Sequence, residues 1–159
     1  VLEELEKDCG NNWKDIETIP SDNELLDEVK FCGKRSFLTK LIKQINVTYG
    51  SNCYDACAIL LRRLFEIVLV LCFQRHDIEE EITKADGSHK MLEGITKAAI
   101  GNKTLNISKR ITDNFEVFRE VGNNSAHSIT YIATKKDIDD IKIAYRVMLE
   151  DLYNKAGLI

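Results

Sequence analysis

Between residues 119 and 127 the chain reads Arg-Glu-Val-Gly-Asn-Asn-Ser-Ala-His. Arg119 offers a fixed cation, Asn123, Asn124 and Ser125 offer hydrogen-bonding side chains, and His127 offers an imidazole that titrates near neutral pH. A cation that holds phosphate charge beside a histidine that moves a proton is what a phosphate-handling site needs. The same residues also make an ordinary polar helix end, with Arg119 near the negative terminus and His127 as a loop histidine. Geometry separates the two readings. On an unbroken helix residues 119 and 127 lie roughly 12 Å apart along the axis, so a shared site requires a bend. Gly122-Asn123-Asn124 supplies residue types that tolerate left-handed backbone. The sequence therefore predicts that a helix ends at Gly122 and that the chain turns there.

Two further groups carry polar chemistry. Arg62, Arg63 and Glu66 fall within an otherwise apolar stretch, and Glu66 is three residues from Arg63 and four from Arg62, so either arginine can pair with it on a helix. Arg63 and Glu66 share a face with Ile59 and Val70, which predicts partial burial. They form either an internal ion pair or a pair that projects into a site and orients Arg119 or His127. The cysteines invite a metal reading, because Cys53 and Cys57, and Cys72 and His76, are each four apart. Both pairs belong to one continuous helical stretch, however, and Cys57 and Cys72 are separated by roughly 22 Å of helix. One zinc cannot take ligands from both pairs, so no metal and no cofactor is expected.

The elements that must position these residues read as helices. A Ser-x-x-Glu capping box at Ser21–Glu24 predicts a short helix reaching about Phe31 and stopping near Gly33. From Ser36, Phe37, Leu38, Leu41, Ile42, Ile45 and Tyr49 fall on one stripe at a 3.6 period, predicting an amphipathic helix that ends near Gly50. Residues 52–76 are apolar nearly all round and mark the central helix of a bundle. The longest apolar run there, Ile67 to Phe73, is seven residues, and charges at 62, 63 and 66 argue against a membrane span. Residues 77–90 read as a polar loop with a short helical turn. A helix over 88–100 with Met91, Leu92, Ile95, Ala98 and Ala99 inward follows, then one over 108–121 with Ile111, Phe115, Phe118 and Val121 on one face. Residues 128–133 read as an extended loop. Thr134 and Asp137 make a second capping box, and a last helix runs to Ala156, with Ile138, Ile141, Tyr145, Met148 and Leu152 inward and Gly157 as terminator.

The whole is an all-α helical bundle of four to five main helices. Its 159 residues suit one domain, 44% of them apolar. The formal charge of −4 conceals an asymmetry, since residues 1–30 hold ten acidic and three basic side chains and the remainder is mildly basic. Residues 1–34 therefore read as an acidic N-terminal arm with a short helix, and residues 35–159 as the bundle. A mildly basic body neither requires nor excludes nucleic acid. Five cysteines are an odd number, which favours buried free thiols and a reducing, cytoplasmic setting over a disulfide framework.

Two segments together carry a resemblance. Tyr54 through Glu66, with Arg-Arg-x-x-Glu at 62–66, and Arg119 through His127, with Arg-x-x-Gly-Asn-x-x-Ala-His, resemble a bacterial domain of unknown function often attached to restriction and helicase proteins. That group is similar to the HEPN superfamily, named for higher eukaryotes and prokaryotes nucleotide-binding. The resemblance covers roughly residues 35–156. It implies a four- or five-helix bundle that commonly dimerises, in a bacterial defence or stress setting. Many HEPN members are metal-independent endoribonucleases in which an arginine stabilises phosphate and a histidine separated from it by four to six residues moves the proton; Arg119 and His127 would take those roles here. This chain departs from that pattern. Seven residues separate the two, and Glu120 stands where active members usually carry a polar, often amide, residue.

Three functional expectations follow. The first is a HEPN-like module, without strong catalysis, that binds RNA or another nucleic acid, a nucleotide or a protein partner through the Arg119/His127 surface. The second is an endoribonuclease using those two residues, and the third is a structural dimerisation domain. A homodimer without membrane attachment is expected in each case, because helices this apolar leave more hydrophobic face than one small bundle covers.

Overall fold

The computed structural model describes residues 24–33 and 35–159. Its elements are α1 (Glu28–Phe31), α2 (Ser36–Gly50), α3 (Tyr54–Arg75), a 3-10 turn (Glu79–Ile82), α4 (Leu92–Ala99), α5 (Lys109–Thr112), α6 (Phe115–His127) and α7 (Lys135–Lys155). The protein is all-α, and no strand occurs among the described residues; a single bridge joins Thr83 to His89. No helix among them is long and apolar enough to cross a membrane.

Helix α3 is the axis of the bundle, with α6, α2 and α7 packed along it and α4 and the 3-10 turn against it. Leu64, Phe65, Val68, Leu69, Cys72 and Phe73 are wholly buried. An aromatic group locks three helices together: the Phe65 ring meets Phe115 at 5.0 Å and Phe118 at 5.8 Å, and Phe118 meets Tyr145 at 5.3 Å. The Tyr145 hydroxyl, which burial would otherwise strand, donates to the Leu61 carbonyl at 2.7 Å. Helix α7 begins at the predicted capping box, with the Asp137 carboxylate accepting from the Thr134 N–H at 2.8 Å and the Thr134 hydroxyl accepting in return. It ends at Gly157, whose φ of 69° only glycine adopts at little cost.

Ser21 lies outside the described residues, and α1 is capped by Asp27 instead. Leu25, Leu26 and Phe31 are buried in the same core as the bundle. The buried Asn46 amide accepts from the Leu26 N–H at 2.9 Å and donates to the Leu26 carbonyl at 2.8 Å, while Arg146 donates to the carbonyls of Leu25 and Glu24. Packing thus joins residues 24–33 to α2 and α7. Two apolar residues expected inward, Phe37 and Met91, are exposed; α4 starts only at Leu92, so Met91 precedes its buried stripe.

The main correction concerns Gly122. No helix ends there: α6 runs without interruption from Phe115 to His127. The break comes earlier, at residues 113–114, where the stretch expected as one helix divides into α5 and α6. Glycine inside a helix costs about 1 kcal/mol relative to alanine, and tertiary contact offsets that cost. A Cβ on Gly122 would lie 2.3 Å from Arg62 Cβ and 2.9 Å from the Ala58 carbonyl oxygen. Gly122 is therefore the point at which α6 crosses α3 in close contact. The helix ends instead at Ser128, whose hydroxyl accepts from the Tyr131 N–H at 3.0 Å. The extended 128–133 loop is tied back by Asp55, which accepts from the Ala133 N–H at 3.0 Å.

Candidate functional site

With α6 continuous, Arg119 and His127 stay roughly 12 Å apart along its axis. Arg119, Asn123 and His127 are spaced four residues apart and so follow one ridge of the helix. They share a line, not a point. His127 is the last residue of α6, exposed, and its side chain makes no hydrogen bond or ion pair with the described residues.

Arg119 is already engaged. Its guanidinium makes a two-pronged pair with Glu116 one turn earlier, Nε donating to Oε2 at 3.2 Å and Nη2 to Oε1. That contact draws the Glu116 carboxyl below its usual range and raises the guanidinium in turn. Glu93 of α4 lies within electrostatic reach; its carboxyl is lowered first by Lys97 and then by Arg119. Glu120 acts on Arg119 in the same sense. The cation is thus set among three carboxylates, and an incoming phosphate would meet their repulsion first.

The remaining predicted residues disperse around this ridge. Asn123 is half-buried and Asn124 exposed. Ser125 faces α3 with Gly122, and its buried hydroxyl has no hydrogen-bond partner among the described residues. On α3, Arg62 rather than Arg63 pairs with Glu66, Nη1 to Oε2 at 3.4 Å. Arg63 is exposed, which corrects the burial expected for it. The reason is helical phase: position 62 turns toward the Gly122 crossing, whereas 63 turns outward with Ile59. Glu66 orients neither Arg119 nor His127.

The cysteines divide by environment. Cys57 and Cys72 are buried with their thiols directed at the carbonyls of Ile45 and Leu152, and burial pushes them up to about 11 and about 12 respectively. Cys53 is exposed and Cys32 half-buried. Among the described residues no group of three or more His, Cys, Asp or Glu side chains is placed to hold a metal ion.

Two features escaped the sequence reading. The Glu116–Arg119 pair was visible in principle, as an acid three residues before a base on a helical stretch. The second is an open cleft of about 370 Å³ lined by Arg75, His76, Asn154, Lys155 and Gly157, which joins residues some eighty positions apart. Its polar groups serve the helix ends, His76 Nε2 meeting the Lys155 carbonyl at 3.1 Å and Lys155 pairing with Asp151 at 2.9 Å.

No family model, no curated protein and no solved structure matches the chain.

Proposed function

We propose that this chain is a HEPN-like, homodimeric interaction module that works without catalysis and whose α6 ridge recognises a protein partner. The observation that carries the reading is the state of Arg119: it is bound by Glu116 and flanked by Glu93 and Glu120, with the imidazole of His127 far along the same helix. A ridge that alternates acid, base and amide suits polar contacts on a protein better than the phosphate backbone of RNA. The buried thiols are compatible with a reducing cytoplasm.

The ribonuclease reading keeps one supporting observation, the shared ridge of Arg119, Asn123 and His127, half-buried at the first two and exposed at the last. Incubating the wild-type chain and His127→Ala with single-stranded RNA in EDTA tests both. The interaction module leaves RNA intact in either form. Cleavage by wild type that disappears in His127→Ala establishes the nuclease instead. Arg119→Ala would then weaken RNA binding with a shallower salt dependence.

A further inference from the structure

The outer face of α3 carries a pattern that the bundle uses only in part: Val70 packs against the core and Glu66 pairs with Arg62, while Ile59 and Arg63 stay exposed. Ile59, Arg63, Glu66 and Val70 are spaced four, three and four residues apart, and at 100° per residue they fall within about 60° of one another. Ile59 and Arg63 are exposed, Glu66 and Val70 half-buried. The spacing reads the same in both directions, with apolar residues at the ends and opposite charges in the middle. Glu66 uses Oε2 toward Arg62, leaving Oε1 without a partner among the described residues.

We propose that this face binds a second copy of the chain, with the two α3 helices antiparallel about a two-fold axis passing between positions 64 and 65. That register places Ile59 against Val70 of the second copy and Arg63 against Glu66 of the second copy, twice by symmetry. A parallel arrangement would set Arg63 on Arg63 and Glu66 on Glu66. Charge therefore selects the antiparallel one, as in the pairing of coiled-coil helices. The inference rests on the homodimeric reading above and names its surface. Four residues over three helical turns are less than a standard interface, so the association belongs at the micromolar end and is measured at about 100 µM chain.

The test is sedimentation or light scattering on the whole chain and on charge-reversed variants. Wild type is expected at twice the 18.2 kDa chain mass. Arg63→Glu leaves two acids on the stripe and Glu66→Arg leaves two bases, so each alone is expected to dimerise more weakly across a titration of chain concentration, with Kd raised at least about tenfold by like charges in apposition. An equimolar mixture of the two restores the dimer, because every acid then faces a base. Circular dichroism verifies folding, and Ile59→Lys, at an exposed position, is a second disrupting variant that leaves the Arg62–Glu66 pair intact. A wild-type Kd in Arg63→Glu and in Ile59→Lys, or a mixture that dimerises no more tightly than either variant alone, overturns this face while dimerisation itself stands. A monomeric wild type overturns both.

Discussion

Replacing Gly122 by alanine separates the two roles a glycine can take in this segment. Were it an idle interior residue, the added methyl would cost nothing in packing, and the helix would gain about 1 kcal/mol in propensity. The structure gives the opposite sign. The new Cβ would fall 2.3 Å from Arg62 Cβ and 2.9 Å from the Ala58 carbonyl oxygen. Both atoms belong to or adjoin the backbone of α3, so no terminal rotation relieves the contact. Ordinary carbon–carbon separation is about 3.5–4.0 Å, so the two helices must part by more than about 1 Å along the most extensive contact in the bundle. Overpacking of that kind costs about 3 kcal/mol, at the upper end of its usual range. Less the propensity gain, the net loss is about 2 kcal/mol, or about 4–8 °C in Tm for a chain of this size.

Urea denaturation followed by circular dichroism measures this directly. The midpoint should fall while the slope stays constant, since the surface exposed on unfolding is unchanged. Gly122→Ala as stable as wild type, or more so, would refute the reasoning and with it the close crossing of α6 over α3.

Leu64→Ala removes a wholly buried side chain from the bundle axis and should cost about 2–5 kcal/mol; a loss below about 0.5 kcal/mol would mean that the core lies elsewhere. In the native protein at pH 8, a thiol reagent should modify Cys53 rapidly and leave Cys57 and Cys72 untouched until denaturant is added, because burial holds those two at about 11 and about 12; peptide mapping by mass spectrometry reads the order, and early labelling of Cys72 would contradict the packing of α3 against α7. On the acid side, Asp137 is lowered by the Thr134 N–H and Asp139 by the Tyr49 hydroxyl, each from an ordinary 3.8. A depressed carboxyl stabilises the fold above its unfolded value and loses that contribution as pH falls through the folded one, so Tm should drop below pH 3.8 and the drop should shrink in Asp139→Asn; a Tm indifferent to acid would contradict both contacts.

Much of the fold was legible because local periodicity and tertiary burial agree. The stripe from Leu38 to Tyr49 is buried as spaced, and α2 spans Ser36–Gly50. The Thr134/Asp137 box starts α7, because both halves of that signal lie within four residues. What stayed hidden depends on distant partners. Whether Arg62 or Arg63 meets Glu66 is a question of which side of α3 receives α6, and the spacing to Glu66 permits either. The docking of Leu26 on Asn46 joins residues twenty apart through a side-chain amide whose periodicity carries no signal. Gly122 is the sharpest case: glycine favours helix ends and close helix crossings alike, and only the presence of Arg62 and Ala58, some sixty residues away, decides between them.

That decision also reassigns the Gly-Asn-x-x-Ala-His segment. In an unbroken helix Gly122 and Ser125 turn to one side, both buried, while Arg119, Asn123 and His127 follow another. The first pair is buried in the packing, whereas Arg119 and Asn123 are half-buried and His127 is exposed, so the two should respond differently to substitution. Ser125→Ala removes an unpartnered buried hydroxyl without adding bulk and should leave stability unchanged or raise it, since a lone buried hydroxyl costs about 1–3 kcal/mol. Ser125→Leu adds bulk beside the crossing and should lower it by about 1–3 kcal/mol. Arg119→Ala removes an ion pair whose carboxylate is mostly exposed, and His127→Ala an exposed side chain without a partner among the described residues, so each should change stability by less than about 1 kcal/mol. Thermal unfolding of the four variants reads the division. Arg119→Ala or His127→Ala falling as far as Ser125→Leu would show that the ridge is structural after all, and that the residues with the most conspicuous chemistry serve the fold rather than a partner.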